Sequence, residues 1–245
     1  MALEKTITVN SFDVDAASHV RPSALMHWMQ QLAGDDLAQY GMTYPTMRQK
    51  GYVFVLFALR LQMDLPLKEG DSYTLQTFSI GTHGATFTRD FHFIKDGISI
   101  GRATTKWVLL DFVKRRILPP ARLEIDLPHF PDKACGLDTD KRLEIPTDTV
   151  QDHRRVYPSM LDQNRHLNNC QYADLATDLL PPDPGQYVAD LEILFTHEAA
   201  LGDRLELYTH TQPEAYLVHA YNTTRQTACF SAKLKTAPDR EASYV

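Results

Sequence analysis

The sequence is poor in cysteine, and its cysteines form no familiar motif. Cys135, Cys170 and Cys229 are an odd number without C-x-x-C spacing, which argues against both a disulfide framework and a zinc site. Apolar runs of about 18 residues, which a membrane-spanning helix requires, are also missing. No other metal-ligand spacing occurs, so we expect no metal and no other cofactor.

Basic charge is scarce as well. Lys and Arg number 25 against 31 Asp and Glu, which gives a formal net charge of -6. Such a chain is a poor candidate for broad nucleic-acid binding, which needs a basic surface. The first residues lack the apolar core of a signal peptide, so the sequence predicts a cytoplasmic protein. The 245 residues, 43% of them hydrophobic, are enough for one large or two small globular domains.

The most unusual stretch is a polar run, Leu161 to Asn169, which includes Asp162, Asn164, His166 and Asn169 as side chains that can bind or orient a substrate. A turn rich in Asp and Asn is often only a capped turn, because these short side chains bond to the nearby backbone. Apolar residues at helical spacing follow, so His166 is predicted just before the positive end of a helix. Backbone N–H groups at that place can hold a developing oxyanion.

The chain contains this phrase twice. Asp15 to Pro22 matches residues 162–169 position by position as D-x-small-x-H-aliphatic, and a helical pattern follows in both copies. The first copy keeps a histidine, His19. Two other positions differ, because Asn164 and Glu198 of the second copy are replaced by Ala17 and Pro66 in the first. This asymmetry predicts one active site, built mainly by the second half.

Strand-like segments follow the phrase in both halves. In the first half they are Tyr52 to Met63, Tyr73 to Ile80, Ala85 to Ile94 and Ile98 to Leu110. In the second half they are Tyr187 to Thr196, Arg204 to Thr209, Ala215 to Asn222 and Thr227 to Lys235, and His153 to Tyr157 precedes the phrase. An Asp96-Gly97 turn predicts an antiparallel hairpin. Since a single helix is available to cover each sheet, the pattern predicts sheets curled around a central helix, the hot-dog fold.

The expected fold class is therefore α+β, a tandem (double) hot-dog. We assign residues 1–117 to the N-terminal hot-dog and residues 150–245 to the C-terminal hot-dog with the catalytic residues. Between them, residues 118–149 are rich in proline and lack a periodic pattern, which is typical of a linker. From Thr236 onward the tail is polar and is expected to fray.

With these motifs placed, the chain resembles the acyl-acyl carrier protein (acyl-ACP) thioesterases of plant plastids and bacteria. The resemblance covers nearly the whole chain. In the first half it rests on Leu25 to Gln31, Trp107 to Asp111 and the following Lys114-Arg115-Arg116. In the second half it rests on residues 162–169, similar to the family's D-x-N-x-H-V-N-N, and on Ile193 to Glu198.

The resemblance implies a tandem hot-dog hydrolase (EC 3.1.2 type) that releases fatty acid from acyl-ACP in fatty acid biosynthesis. Carried over by position, its catalytic set is Asp162, Asn164, His166 and Glu198. Plant members have a cysteine directly after the glutamate, whereas this chain has Ala199, so a cysteine nucleophile there is excluded. We expect His166 to polarise the thioester carbonyl and Asp162 to orient that histidine. Glu198 would act with Asn164 to activate water.

The resemblance also implies an acyl-chain pocket mainly in the N-terminal hot-dog. Candidate substrate-binding residues are Leu25, Met29, Leu32, Phe54 and Asn169. The partner would be acyl carrier protein, which is acidic, so docking would need a local basic patch. The candidates are Lys114, Arg115, Arg116, Arg154 and Arg155. Either a monomer or a homodimer suits a tandem hot-dog.

Other functions stay open. An acyl-CoA thioesterase would act on the same phosphopantetheine arm, and a non-catalytic hot-dog protein would bind the acyl thioester without cutting it. A hot-dog dehydratase uses a histidine and an acidic residue across a dimer, which the N-x-H-x-N-N phrase does not suit. Cys170, early in the predicted helix, is the one candidate thiol nucleophile, although a buried structural cysteine is the commoner case.

Overall fold

A computed structural model describes residues 3–181, 183 and 185–240. Its N-terminal half contains β1 (Leu3–Thr8), α1 (Pro22–Ala38), α2 (Tyr44–Gln49), β2 (Tyr52–Met63), β3 (Ser72–His83), β4 (Thr86–Lys95) and β5 (Ile98–Asp111). The short strand β6 (Ile117–Leu118) follows. The C-terminal half contains β7 (Val150–Arg155), α3 (Asn169–Thr177), β8 (Gln186–Phe195), β9 (Arg204–Gln212), β10 (Ala215–Asn222) and β11 (Thr227–Pro238).

These strands form one continuous antiparallel sheet. Its order is β1-β3-β4-β5-β2-β8-β11-β10-β9-β7, with β6 beside β5. The order reads the same from both edges, because each half contributes its own strands in the same sequence around a central seam. At that seam β2 and β8 pair from Ala58↔Leu194 to Gln62↔Asp190. The predicted tandem hot-dog is therefore confirmed.

Local sequence explains the strand limits well. Strands β2 and β10 have the predicted bounds, and fully buried side chains alternate with less buried ones along much of each strand. The β4–β5 hairpin turns at Asp96 and Gly97, whose φ angles of 51° and 77° suit the type I′ turn that an Asp-Gly pair favours. Strand β3 continues to His83, three residues beyond its predicted end at Ile80.

Helices α1 and α3 lie together on one face of the sheet and share its core. Helix α1 begins with Pro22 and α3 is capped by Asn168, whose side-chain oxygen accepts the N–H of Cys170 at 3.0 Å. Gln30 Nε2 of α1 approaches the Cys170 sulfur at 3.3 Å, which joins the helices. The core runs through both halves and includes Met26, Leu59, Phe93, Ala173, Ile193 and Phe230.

The segment between the halves follows the outer face of the sheet. The N–H of Phe130 donates to the Ser79 carbonyl at 2.8 Å, and the N–H of Cys135 donates to Asp90 Oδ2 at 2.8 Å. Asp140 then reaches Glu192 of β8. The segment thus passes over the N-terminal sheet before it reaches the C-terminal one, and we retain residues 118–149 as the proposed linker.

The expectation of a frayed tail from Thr236 is wrong for the residues that the structure describes. Strand β11 continues to Pro238 and pairs with β8, from Thr236↔Val188 to Pro238↔Gln186. Asp239 is then buried beside His19. A polar segment extends a strand here because pairing with β8 satisfies its backbone groups. Within the described residues, no helix combines the length and apolar character that crossing a membrane requires.

Candidate active site

The polar run of the second half folds into a tight turn organised by one carboxylate. Asp162 Oδ1 accepts the backbone N–H groups of Asn164 at 2.8 Å and of His166 at 3.1 Å. The Asp162 N–H donates to the His166 carbonyl at 2.8 Å, while Arg165 adopts a left-handed φ of 64°. This is an Asx-type turn, in which the Asp162 carboxylate fixes the backbone positions of Asn164 and His166.

The Asn164 amide is oriented by two partners. Its Nδ2 donates to Asp162 Oδ2 at 3.1 Å. The Tyr44 hydroxyl, from α2 of the other half, donates to Asn164 Oδ1. The Asn164 amide nitrogen carries two hydrogens. Within the described residues the second one has no hydrogen-bond partner, so it is available to a substrate. Tyr44 is not among the site residues predicted from the sequence, because no local signal links α2 to this turn.

His166 and Glu198 form the centre of the site. The His166 Nε2 atom lies 3.3 Å from Glu198 Oε2, and both side chains are about one-third exposed. The loop after β8 is held against the turn, because the N–H of Leu167 donates to the Ala199 carbonyl at 2.8 Å. Arg115, from the turn between β5 and β6, pairs with Glu198 Oε1. One carboxylate thus contacts both an imidazole and a guanidinium.

The contacts differ from the expected roles of Asp162 and Glu198. Asp162 binds the backbone N–H of His166, and the imidazole itself faces Glu198. Asn164 contacts Asp162 and Tyr44 rather than Glu198. The reason is that a carboxylate four residues before a histidine closes the turn with its short side chain, whereas Glu198 enters from a neighbouring strand end.

An apolar cavity of about 250 Å³ lies beside the site. It is bounded by α1, α2 and the sheet, and its lining includes Leu37, Tyr44, Met47, Phe54, Phe87 and Trp107. Phe54 also lines an open groove of about 620 Å³ that contains Asn164, His166 and Glu198. The cavity and the catalytic candidates therefore share a wall. A larger groove of about 1370 Å³ lies under the linker and contains none of the four catalytic candidates.

The predicted substrate-binding residues separate into two groups. Phe54 lines both the cavity and the groove, and Asn169 lines the groove. Leu25, Met29 and Leu32 are buried in the main core and line neither of them. They occupy the face of α1 that packs on the core, whereas Gln30, Ala33, Gly34 and Leu37 face the cavity.

The predicted docking residues also separate. Lys114, Arg115 and Arg116 lie in the turn between β5 and β6, and Arg115 contacts the catalytic candidate Glu198. Arg154 and Arg155 lie on β7 at the sheet edge and line a different groove. Arg154 is paired there with Asp152 at 2.7 Å and Asp178 at 3.3 Å. The two basic clusters therefore do not form one patch.

The cysteines do not supply a nucleophile in this arrangement. Burial raises the pKa of the Cys170 thiol strongly, so it is held as the neutral thiol that packs between α1 and α3. Burial likewise raises the pKa of Cys135 to about 12 and that of Cys229 to about 11. No cluster of three or more His, Cys, Asp or Glu side chains suited to a metal occurs in the described part of the chain.

Fold and site together define a double hot-dog protein whose histidine–glutamate pair borders an apolar cavity. Residues 2–122 match the family model of the acyl-ACP thioesterase N-terminal domain. The N-terminal half of the chain therefore belongs to the acyl-ACP thioesterase family. The match covers Tyr44, Phe54 and Arg115, whereas His166 and Glu198 lie beyond it.

Individual relatives are distant in sequence. The chain is 22% identical over 220 residues to the oleoyl-acyl carrier protein thioesterase, chloroplastic, of Coriandrum sativum, which covers 81% of this chain. The chain spans 56% of the length of that curated relative. An acyl-ACP thioesterase structure from Bacteroides thetaiotaomicron superposes with a TM-score of 0.87 at 18% identity, covering 96% of this chain and 98% of the other.

A second structure, the 12:0-ACP thioesterase from Umbellularia californica, superposes with a TM-score of 0.80 at 16% identity and covers 97% of each chain. At these identities the structural likeness establishes the shared double hot-dog fold. The chemistry of this chain has to be argued from its own residues.

Proposed function

We propose that this protein hydrolyses the thioester of fatty acyl-ACP, giving free fatty acid and holo-ACP. The observation that carries the proposal is the His166–Glu198 pair, 3.3 Å apart, in a groove that shares Phe54 with an apolar cavity. A hydrolase for long acyl thioesters needs both features, a proton acceptor for water and an apolar space for the chain. The family match of residues 2–122 supports the same reaction.

In the proposed reaction, Glu198 accepts a proton from water while the water oxygen forms a bond to the thioester carbon. The carbonyl oxygen gains negative charge, which the free N–H of Asn164 and the positive end of α3 stabilise. The carbon–sulfur bond then breaks, and the proton passes through His166 to the departing sulfur. One water is consumed, and a carboxylic acid and a thiol are released. Asp162 acts by closing the turn that holds His166 and Asn164.

We propose that the acyl chain enters the cavity lined by Leu37, Met47 and Phe87. Phe54 and Asn169 would contact the substrate where cavity and groove meet. Leu25, Met29 and Leu32 would influence chain length indirectly, because they pack behind the α1 residues that line the cavity.

Docking of acyl carrier protein is proposed on the turn between β5 and β6. Lys114 and Arg116 supply positive charge there, and Val113 and Ile117 are exposed apolar side chains, at 81% and 57%. An acidic partner with apolar residues among its carboxylates would complement this turn. Arg154 and Arg155 remain a second, separate candidate patch.

A cytoplasmic location and the choice between monomer and homodimer also remain predictions, to be checked by cell fractionation and light scattering.

The test is thiol release from acyl-ACP and acyl-CoA substrates of several chain lengths, with wild type beside Glu198→Gln. We expect the wild type to cleave acyl-ACP, and Glu198→Gln to lower kcat by about 10²- to 10⁴-fold with an unchanged Tm. Glu144→Gln, an exposed carboxylate of the linker, is the matched control and should keep full activity. Faster cleavage of acyl-CoA would indicate an acyl-CoA thioesterase. Binding without thiol release would indicate a non-catalytic protein.

A further inference from the structure

Arg115 belongs to the N-terminal half, yet its side chain reaches the proposed catalytic carboxylate of the C-terminal half. Its Nη2 atom pairs with Glu198 Oε1, while Glu198 Oε2 lies 3.3 Å from His166 Nε2. Each carboxylate oxygen therefore has one charged or titratable partner. The rotation of the Glu198 carboxylate is fixed from both sides.

The turn that carries Arg115 is held by Asp111. The Asp111 Oδ1 atom accepts the N–H groups of Val113 at 3.0 Å and Lys114 at 2.7 Å. The N–H of Arg115 donates to the Asp111 carbonyl at 2.9 Å. The hydrogen bond from the Lys114 N–H keeps the pKa of Asp111 below its usual value, so the anion that closes the turn is favoured.

A second anchor joins this turn to α2. The N–H of Phe112 donates to the Gly51 carbonyl at 2.9 Å. The Arg48 guanidinium lies 4.1 Å from the centre of the Phe112 ring, close enough for a cation–π contact. The base of the Arg115 side chain is thus fixed relative to α2, which also carries the Asn164 partner Tyr44.

The backbone conformation of Arg115 is unfavourable for an arginine, which indicates that its side chain is needed for the ion pair with Glu198. Arg115 has a φ of 53°, in the left-handed region where glycine or asparagine fits with less strain. Arginine gives the turn itself no advantage. The pair with Glu198 supplies the reason for a long cation at this position.

Arg115 also differs from the cations on either side of it. In the described part of the chain, Lys114 and Arg116 take part in no ion pair, and they stand beside the exposed Val113. Arg115 is turned toward the site instead, where its side chain is 46% exposed. The cations of the turn between β5 and β6 thus fall into two groups. Lys114 and Arg116 are available for docking, whereas Arg115 contacts Glu198.

We propose that Arg115 is a positioning residue, which holds one oxygen of Glu198 so that the other faces His166 and the attacking water. This inference rests on the proposed thioesterase function. It replaces the expected role of Arg115 in carrier docking and leaves Lys114 and Arg116 as the docking cations.

The experiment compares Arg115→Met, Arg115→Lys, Lys114→Ala and Arg116→Ala on two thioesters of one acyl chain. One is acyl-ACP, and the other is the acyl thioester of N-acetylcysteamine, which has neither a phosphate nor a carrier protein. We expect Arg115→Met to lower kcat by about 10- to 100-fold on both substrates. Arg115→Lys should recover most of the loss, because it keeps a positive charge that can reach Glu198 Oε1. Lys114→Ala and Arg116→Ala should raise KM for acyl-ACP alone.

The outcomes separate the alternatives. A normal kcat of Arg115→Met on the short thioester, with a raised KM for acyl-ACP only, would make Arg115 a docking residue and overturn the positioning role. An equal loss in Arg115→Met and Arg115→Lys, with a lowered Tm in both, would show a structural role and overturn it as well. A wild type that cleaves neither thioester overturns the proposed function, and the positioning role falls with it.

Discussion

The two polar turns have the same backbone and opposite surroundings. Asp15 Oδ1 accepts the N–H groups of Ala17 at 2.9 Å and His19 at 3.0 Å, as Asp162 does in the second copy. Ser18 and Arg165, at matching positions, both have a φ of 64°. The D-x-x-x-H phrase therefore encodes the turn, and catalytic competence must come from elsewhere.

The surroundings of the two histidines supply the difference. His19 is 2% exposed, and its Nε2 lies 2.9 Å from Asp239 Oδ2, which also pairs with Lys68 at 2.9 Å. Strand β11 thus ends over the first turn and closes it. His166 is open to a groove and faces Glu198, whose place in the first copy is taken by Pro66. One motif serves folding in one half and, as we propose, chemistry in the other.

The strongest test of this comparison removes each histidine in turn. His166→Ala should lower kcat by about 10²- to 10⁴-fold with little change in stability, since the ring is partly exposed. His19→Ala should keep kcat near wild type but destabilise the fold by about 2–3 kcal/mol, because a buried carboxylate loses a hydrogen-bond partner. Thiol release and thermal unfolding measure the two effects. Equal loss of activity in both variants would contradict a catalytic role for His166 and a structural role for His19.

A smaller and more symmetrical effect is expected at the two turn-closing carboxylates. Asp15→Ala and Asp162→Ala each remove two hydrogen bonds to backbone N–H groups and should each cost about 1–2 kcal/mol of stability. Asp162→Ala should also lower kcat by about 10- to 100-fold through misplacement of His166. Chemical denaturation and steady-state kinetics check this. A stability loss in only one copy would mean that the turns are not equivalent.

The smallest expected effect is at Tyr44. Tyr44→Phe removes the donor to Asn164 Oδ1, and loss of one neutral hydrogen bond should lower kcat by about 3- to 10-fold. Tyr40→Phe, in the turn that follows α1, is the matched control and should leave kcat unchanged. The first copy has Ala17 at the position of Asn164, so its turn contains no side-chain amide that a tyrosine could contact. A Tyr44→Phe enzyme with normal kcat would remove Tyr44 from the site.

Sequence could predict the elements because their signals are local. Alternation marked β2 and β10, and the Asp96-Gly97 turn marked the β4–β5 hairpin. The contacts of Tyr44 and Arg115 were missed because they join residues that are far apart in the chain, and no periodicity reports such contacts. The full length of β11 was missed because its last residues are polar, while pairing with β8 makes the strand.

The two strands that pair at the β2–β8 seam belong to one chain, so each half can acquire substitutions independently of the other. In a symmetric dimer of identical halves, every substitution appears twice and must be tolerated at both places. Here the two sides of the seam are encoded separately. Pro66 and Glu198 can differ, as can Ala17 and Asn164, without disturbing the backbone that they share. A mutational library confined to the cavity residues of the first half can therefore be searched for new chain-length preferences while the histidine–glutamate pair stays unchanged.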